Sequence, residues 1–175
     1  MLPTSGAVAK RYTQLETERS QFLARAREVA ELTIPTLMPL EGHSGSSVYT
    51  TPYQSIGARG VNNLASKLLM TLLPPNSPFF RLTMDDFDLQ NLAGEDARGK
   101  VEEALSRIER AAMQEVEATA IRVPVFEALK QLIVAGNVLV HMPKDGGVRV
   151  FRLDRYVCQR DAMGNVLEII TKETV

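Results

Sequence analysis

Few residues in this sequence have the type and the spacing that catalysis or metal binding requires. The two histidines, His43 and His141, lie in a Gly/Ser-rich segment and in a predicted strand, and neither has a second ligand at the spacing of a metal site. The single cysteine, Cys158, falls within an alternating strand pattern, which is typical of a small buried residue. We therefore expect all three side chains to be structural, and we predict no metal site.

The acidic residues and glycines complete no catalytic or nucleotide-binding motif. Asp85, Asp86 and Asp88 resemble the start of a calcium loop, but the glycine and the closing glutamate of such a loop are not at the required spacing. The sequence also lacks a Gly-rich phosphate loop with its lysine and a G-x-S-x-G nucleophile elbow. No spacing supports a hydrolase built on Asp/Glu pairs. We predict that the chain is not an enzyme and has no cofactor.

Arginines and aromatic residues alternate towards the end of the chain. Arginine beside an aromatic ring can follow a phosphate backbone or stack on bases, which makes a nucleic-acid-binding module the alternative function. Asp154 and Asp161 lie in the same stretch and dilute its positive charge, so pairing within a sheet also explains the pattern. The candidate residues for DNA contacts or for intra-sheet contacts are Arg149, Arg152, Arg155 and Arg160.

The composition is that of one ordinary globular domain. The chain has 175 residues, of which 45% are hydrophobic and 23% are charged. A net charge of −1 gives no general case for a nucleic-acid or acidic-membrane partner, and the single cysteine excludes an internal disulfide. The sequence contains no apolar run of ~18 residues and no pattern of a signal peptide. We predict no membrane association.

Charge is distributed unevenly along the chain. Residues 1–84 carry a net charge of +3, residues 85–117 carry −6 and residues 118–175 carry +2. The acidic middle is a local feature, and a solvated helix face is its simplest interpretation.

The stretch 51–75 organises the predicted fold. Its second half predicts a helix with a leucine-rich core face, which Pro74 and Pro75 end. Small residues at its entrance allow another backbone to come close, and two adjacent amides need partners if they are buried. We expect this entrance to pack closely against another element or a neighbouring subunit, with an arginine paired to a carboxylate. The candidate interface residues are Gly57, Arg59, Gly60, Asn62 and Asn63.

The remaining pattern predicts an α+β fold, in which long helices precede an antiparallel β meander. Before the central stretch we predict one helix of ~25 residues with a stripe of Val8, Tyr12, Leu15, Phe22, Ala26 and Val29. After it we predict a strand at Phe79–Thr83, a short helix through Leu92, a helix from Glu95 to Thr119 and a helix from Pro124 to Gly136. The four strands of the meander are Val138–Met142, Val148–Leu153, Tyr156–Arg160 and Val166–Thr171. Residues 1–136 thus form a mainly helical region and residues 137–175 antiparallel hairpins, and the last strand predicts that the chain continues.

Four segments resemble the head-to-tail connector, or portal, proteins of short-tailed bacteriophages. The first is TPYQSIGARGVNNLASKLLMTLLPP, and the others are RYTQLETERSQFLARAREVAELTIPTLMP, VFEALKQLIVAGNVLVHMP and FRLDRYVCQRDAMGNVLEIITKETV. They follow in the order expected for that family and cover most of the chain from Arg11 onward. The resemblance identifies the chain as the N-terminal part of such a protein.

The resemblance implies a structural role at one vertex of a phage capsid. Portals of this family are dodecameric rings whose channel carries double-stranded DNA during packaging and ejection. Their partners are the major capsid protein, the packaging terminase and the tail adaptor or tail proteins. The implied location is the virion, after assembly in the host cytoplasm, and this chain is expected to form mostly the outward-facing wing of a subunit.

Overall fold

The computed structural model describes residues 5–173 except 41, 43, 45, 76, 85–94 and 145. The helices of the described part are α1 (Ser5–Glu18), α2 (Ser20–Leu32), α3 (Ile56–Leu72), α4 (Glu95–Ala118) and α5 (Arg122–Ala135). The strands are β1 (Leu139–His141), β2 (Arg149–Phe151), β3 (Tyr156–Arg160) and β4 (Val166–Thr171). Short 3-10 turns span Pro35–Leu37 and Leu153–Arg155. The predicted α+β class, with helices before an antiparallel meander, is confirmed.

The four strands pair as two separate antiparallel hairpins. In the first, Val140 of β1 lies opposite Val150 of β2. In the second, Val157 of β3 lies opposite Ile170 of β4, with an irregularity between Gln159 and Arg160. The 3-10 turn between β2 and β3 redirects the chain and therefore separates the two sheets.

The predicted single N-terminal helix is wrong, because the chain breaks at Arg19. This residue has φ −97° and ψ 5°, outside helical geometry. Its carbonyl accepts the amides of both Phe22 and Leu23, at 2.9 and 3.2 Å, so the first turn of α2 starts afresh.

The apolar stripe of α2 also differs from the prediction. Phe22 and Val29 are 66% and 37% exposed, although both were expected in the core. The seam that faces the protein instead consists of Tyr12, Leu15, Arg19, Leu23, Ala26 and Ala30. These residues recur at steps of three and four once Arg19 is counted as a member.

The polar head of Arg19 is only partly satisfied on this seam, because Nε and Nη2 are buried without a hydrogen-bond partner in the described part of the chain. The Nη1 atom donates a hydrogen bond of 2.5 Å to the carbonyl of Leu153. The guanidinium lies 5.8 Å from the ring centroid of Tyr156, within range of a cation–π contact. The aliphatic stem meanwhile continues the apolar stripe.

The core contains two clusters of buried residues. The larger cluster joins α2, α3, α5 and the turn before β3, and consists of Leu23, Ala26, Ala30, Leu37, Met38, Val61, Val134, Leu153 and Tyr156. The smaller one joins α1 to β3 and consists of Tyr12, Leu15 and Val157. Helical and strand residues thus share one core, and the division into residues 1–136 and 137–175 stays a prediction.

The ends of α5 follow from its proline and glycine. Pro124 lies in the first turn, where its missing amide costs no helical hydrogen bond. Gly136 ends the helix in the left-handed conformation, with φ 72°. Both features agree with the prediction.

The segment before α4 is not the predicted strand at Phe79–Thr83. It runs along α4 instead, and the amide of Leu82 donates a 2.5 Å hydrogen bond to Glu109 Oε1. A side-chain carboxylate therefore takes the place of a strand partner. The predicted helix through Leu92, with Asp85, Asp86 and Asp88, lies outside the described residues.

Candidate subunit interface

Helix α3 presents all five predicted interface residues. It begins at Ile56 and ends at Leu72, since Leu73 precedes a proline and leaves the helical region. Its inner side packs on α5 through Val61 and Ala65, which are buried. The outer side faces solvent, so α3 connects the core to a potential interface.

Gly57 makes the close approach that its small size predicts, and it does so within the subunit. A Cβ atom at this position would lie 2.7 Å from the carbonyl oxygen of Leu32 and 3.1 Å from Cγ2 of Thr33. The end of α2 therefore occupies the space that any side chain at Gly57 would need. This glycine sets the distance between α2 and α3.

Gly60 has the opposite surroundings. No heavy atom lies within 4 Å of a Cβ built at this position. Three apolar residues of the same helix are exposed nearby: Ile56 by 74%, Leu64 by 48% and Met70 by 59%. We define the outer face of α3 as Ile56, Arg59, Gly60, Asn63, Leu64, Lys67 and Met70, which are all exposed.

The other predicted interface residues also reach solvent. Arg59, Asn62 and Asn63 are exposed, so water can satisfy their polar groups in an isolated subunit. None of the ion pairs between described residues uses Arg59. These side chains are free to contact a second molecule, and their assignment to an interface stays a prediction.

The leucine-rich face of α3 is only partly core, which corrects the sequence prediction. Leu68 and Leu69 are half-buried, whereas Leu64 and Leu72 are 48% and 53% exposed. Leu64 belongs to the outer face defined above, and Leu72 is the last residue of the helix.

The four arginines of the hairpins have different surroundings. Asp154 lies between Arg152 and Arg155, with Nε–Oδ distances of 3.3 and 3.9 Å. Arg160 Nη1 donates a 3.0 Å hydrogen bond to the carbonyl of Gly164, and Arg149 is exposed on β2. The ion pairs and this hydrogen bond lie within turns, not across strands. Such local neutralisation does not favour a phosphate-binding surface.

Arg11 connects α1 to the second hairpin, and no local sequence pattern indicates this contact, because its partners lie about 150 residues later. Its Nε atom donates a 3.0 Å hydrogen bond to Glu168 Oε2, and its Nη2 atom bonds Gln159 Oε1. Arg11 thus fixes α1 on β3 and β4 beside the smaller core cluster.

Two tyrosine hydroxyls, those of Tyr156 and Tyr12, have raised pKa values. Burial raises the pKa of Tyr156 to about 12, and its hydroxyl donates a 3.1 Å hydrogen bond to Asn137 Oδ1. The pKa of Tyr12 is also raised, mainly by burial and to a smaller extent by the nearby charge of Glu16.

The side chain of Gln131 is 1% exposed. Its Nε2 atom donates a 3.2 Å hydrogen bond to the Leu37 carbonyl, while its Oε1 atom has no partner in the described part of the chain.

The residues considered for chemistry are dispersed in the structure. His141 is exposed on β1, and Cys158 is a half-buried free thiol that contacts the Gln159 carbonyl at 3.8 Å. His43 lies outside the described residues. Among the residues described, no three His, Cys, Asp or Glu side chains come together as a metal site, and no helix is long and apolar enough to span a bilayer.

Comparison with known proteins agrees with the resemblance seen in the sequence. The family described as "Bacteriophage head to tail connecting protein" matches residues 5–175. The portal protein of Enterobacteria phage T3 is 45% identical over 169 residues, which is 94% of this chain and 31% of that protein. The portal protein of Escherichia phage T7 is 43% identical over 170 residues, covering 94% and 32%.

A more distant relative extends the same relationship. The portal protein of Pseudomonas phage phiKMV is 37% identical over 153 residues, or 85% of this chain and 30% of the relative. The chain therefore spans about a third of the length of the curated relatives it matches. Because the family matches nearly every residue, this chain belongs to the bacteriophage head-to-tail connecting proteins.

Proposed function

We propose that this chain is part of a structural subunit of a phage portal ring. The observation that carries the proposal is the family match over residues 5–175, together with relatives that are named portal proteins. The ring forms a channelled vertex of the capsid, through which double-stranded DNA enters during packaging and leaves during ejection. The described part of the chain acts as the outward wing of the subunit, and the ring is a dodecamer.

The partners of such a ring follow from its position. We propose contacts with the major capsid protein around the vertex, with the packaging terminase while DNA enters, and with tail adaptor or tail proteins afterwards. The subunits assemble in the host cytoplasm and remain in the virion. The role is structural, and the energy for packaging comes from the terminase.

The exposed outer face of α3 supports subunit contacts in this ring. A closed ring needs two different surfaces on each subunit, because every copy contacts its neighbours head to tail. The outer face combines exposed apolar residues with Arg59, whose guanidinium we propose to pair with a carboxylate of the neighbouring subunit. Asn63 lies on the same face and is proposed to donate a hydrogen bond across it, whereas Asn62 is exposed on another side of α3.

The test uses the purified full-length protein. Native mass spectrometry measures the number of subunits in the assembly, and electron microscopy with averaged views shows whether it encloses a channel. Rings with a channel are the expected result. A protein that stays monomeric at assembly concentrations, and is absent from purified virions, would refute the proposed function.

A further inference from the structure

Helix α4 has an apolar face that no described element covers. The principal packings between described elements involve α1, α2, α3, α5 and the strands, and α4 takes part in none of them. The segment before α4 covers one side, where Leu82 bonds Glu109. The opposite side carries Ala104, Ile108, Ala111 and Glu115, which are all exposed, Ile108 by 55%. We call these four residues the open face of α4.

The shapes of this open face and of the outer face of α3 are complementary. Gly60 leaves a gap on α3, because no atom lies near the position of a Cβ there. The gap is bordered by Ile56 and Asn63 one turn away on either side. In helix packing, a large side chain enters such a hole when small residues flank it. Ile108 is the large residue of the open face, with Ala104 one turn before it and Ala111 one turn after it on the same side of the helix.

The charges of the two helices are also complementary. Helix α3 contains Arg59 and Lys67 and no acidic residue, whereas α4 contains seven acidic and four basic residues. Most described carboxylates of α4 already have partners within the subunit. Glu115 is the exception, since no ion pair between described residues uses Glu115 or Lys67.

The sequence spacing along both helices gives a register. Gly60 and Lys67 are seven residues apart, as are Ile108 and Glu115, so both pairs span about 10 Å on one helix face. If Ile108 enters the gap at Gly60 and the helices run parallel, Glu115 meets Lys67. In the antiparallel direction Glu115 would lie beyond the first residue of α3, Ile56, where the helix offers it no basic partner. The charge pattern therefore favours parallel helices.

We propose that the open face of α4 in one subunit packs on the outer face of α3 in the next subunit. Ile108 enters the gap at Gly60, and Glu115 pairs with Lys67. This inference rests on the proposed portal function, and it adds which two surfaces form the head-to-tail contact. The two faces lie on different helices of each copy, so the contact repeats around a ring without using either face twice.

The first test compares two glutamates placed on opposite sides of α4 in the full-length protein. Ile108→Glu puts a charge into the proposed contact and is expected to leave folded monomers without rings. Ser106→Glu adds the same charge on the far side, about 160° around the helix from Ile108, where Ser106 is exposed, and is expected to assemble normally. Circular dichroism checks that both variants keep their helices. Rings formed equally by both variants would overturn the proposed contact.

A charge exchange tests the register. Lys67→Glu and Glu115→Lys each place like charges together, and each is expected to reduce the fraction of subunits in rings. The double variant restores opposite charges and is expected to recover the rings. No recovery in the double variant, after losses in both single variants, would overturn the pairing of Glu115 with Lys67.

A mixing experiment tests whether the two faces bind each other. Gly60→Leu fills the gap on α3 but leaves α4 intact, and Ile108→Glu blocks α4 but leaves α3 intact. A mixture of these two full-length variants has one working pair of faces, so native mass spectrometry should find heterodimers and no rings. Only monomers in the mixture would overturn the inference. A monomeric unmodified protein would instead refute the proposed function itself, so the two failures are distinguishable.

Discussion

Replacing Gly57 by alanine tests the fold most directly, because one close approach between α2 and α3 requires a glycine at this position. The added Cβ would lie 2.7 Å from the Leu32 carbonyl oxygen, which is backbone and therefore moves only if the end of α2 moves. Overpacking of this kind costs about 1–3 kcal/mol. Alanine recovers about 1 kcal/mol through its better helix propensity. We expect a net loss of about 1 kcal/mol in the free energy of unfolding.

Gly60→Ala is the matched control, since it makes the same change one turn later on the same helix. Its Cβ meets no atom within 4 Å, so only the helix propensity changes. We expect a gain of about 0.5–1 kcal/mol. Urea unfolding followed by circular dichroism measures both variants. Equal stability of the two variants would show that α2 does not approach α3 as described.

Three further changes test other contacts. Arg11→Ala removes the ion pair with Glu168. Because both side chains are partly exposed, the free energy of unfolding in urea should fall by roughly 0.5–1 kcal/mol, and by less at high salt. A loss that does not depend on salt would contradict the ion pair. Burial raises the pKa of Tyr156 to about 12, so its contribution to stability is complete below pH 10 and is lost as the pH rises towards 12. Tyr156→Phe should flatten this part of the curve of stability against pH. An unchanged curve would contradict the burial of the hydroxyl. Gly136→Ala forces a left-handed backbone on alanine and should lower the free energy of unfolding by about 1 kcal/mol, which thermal denaturation can measure against wild type.

Local signals predicted the helix ends well. Pro74, Pro124 and Gly136 each act on the backbone at their own position, so the sequence neighbourhood contains all the information that decides the outcome. The C-terminal ends of α3 and α5 agree with the prediction for this reason, whereas α5 begins at Arg122, two residues before Pro124.

The burial of side chains in α2 was not predictable from hydrophobicity alone. The pattern with Phe22 in the core treats Arg19 as an interruption, whereas the observed seam includes it. Arg19 is accepted there because Leu153 and Tyr156, more than a hundred residues later, provide a carbonyl and an aromatic ring. Such long-range partners are invisible in a local window.

Two of the predicted interface residues, Gly57 and Gly60, have different surroundings in the structure, and the sequence could not indicate this difference. Gly57 and Gly60 are both small residues at the entrance of one helix, and the sequence treats them alike. The structure places Gly57 against the end of α2 and Gly60 in open space. The distinction depends on where α2 ends relative to α3, which is a tertiary property.

The position of Arg19 has a consequence for how the domain opens. Arg19 lies on the helical seam between Leu15 of the smaller cluster and Leu23 of the larger one. Its head contacts Leu153 and Tyr156 of the larger cluster. Tyr156 of β3 belongs to the larger cluster, so the second hairpin is held to α2, α3 and α5. Helix α1, which joins this hairpin through the smaller cluster and Arg11, is the part expected to open first. Amide hydrogens of α1 are then expected to exchange through this partial opening, at a lower free energy than those of α5. Helix α1 is thus an element that can change its position while α2, α3 and α5 stay folded.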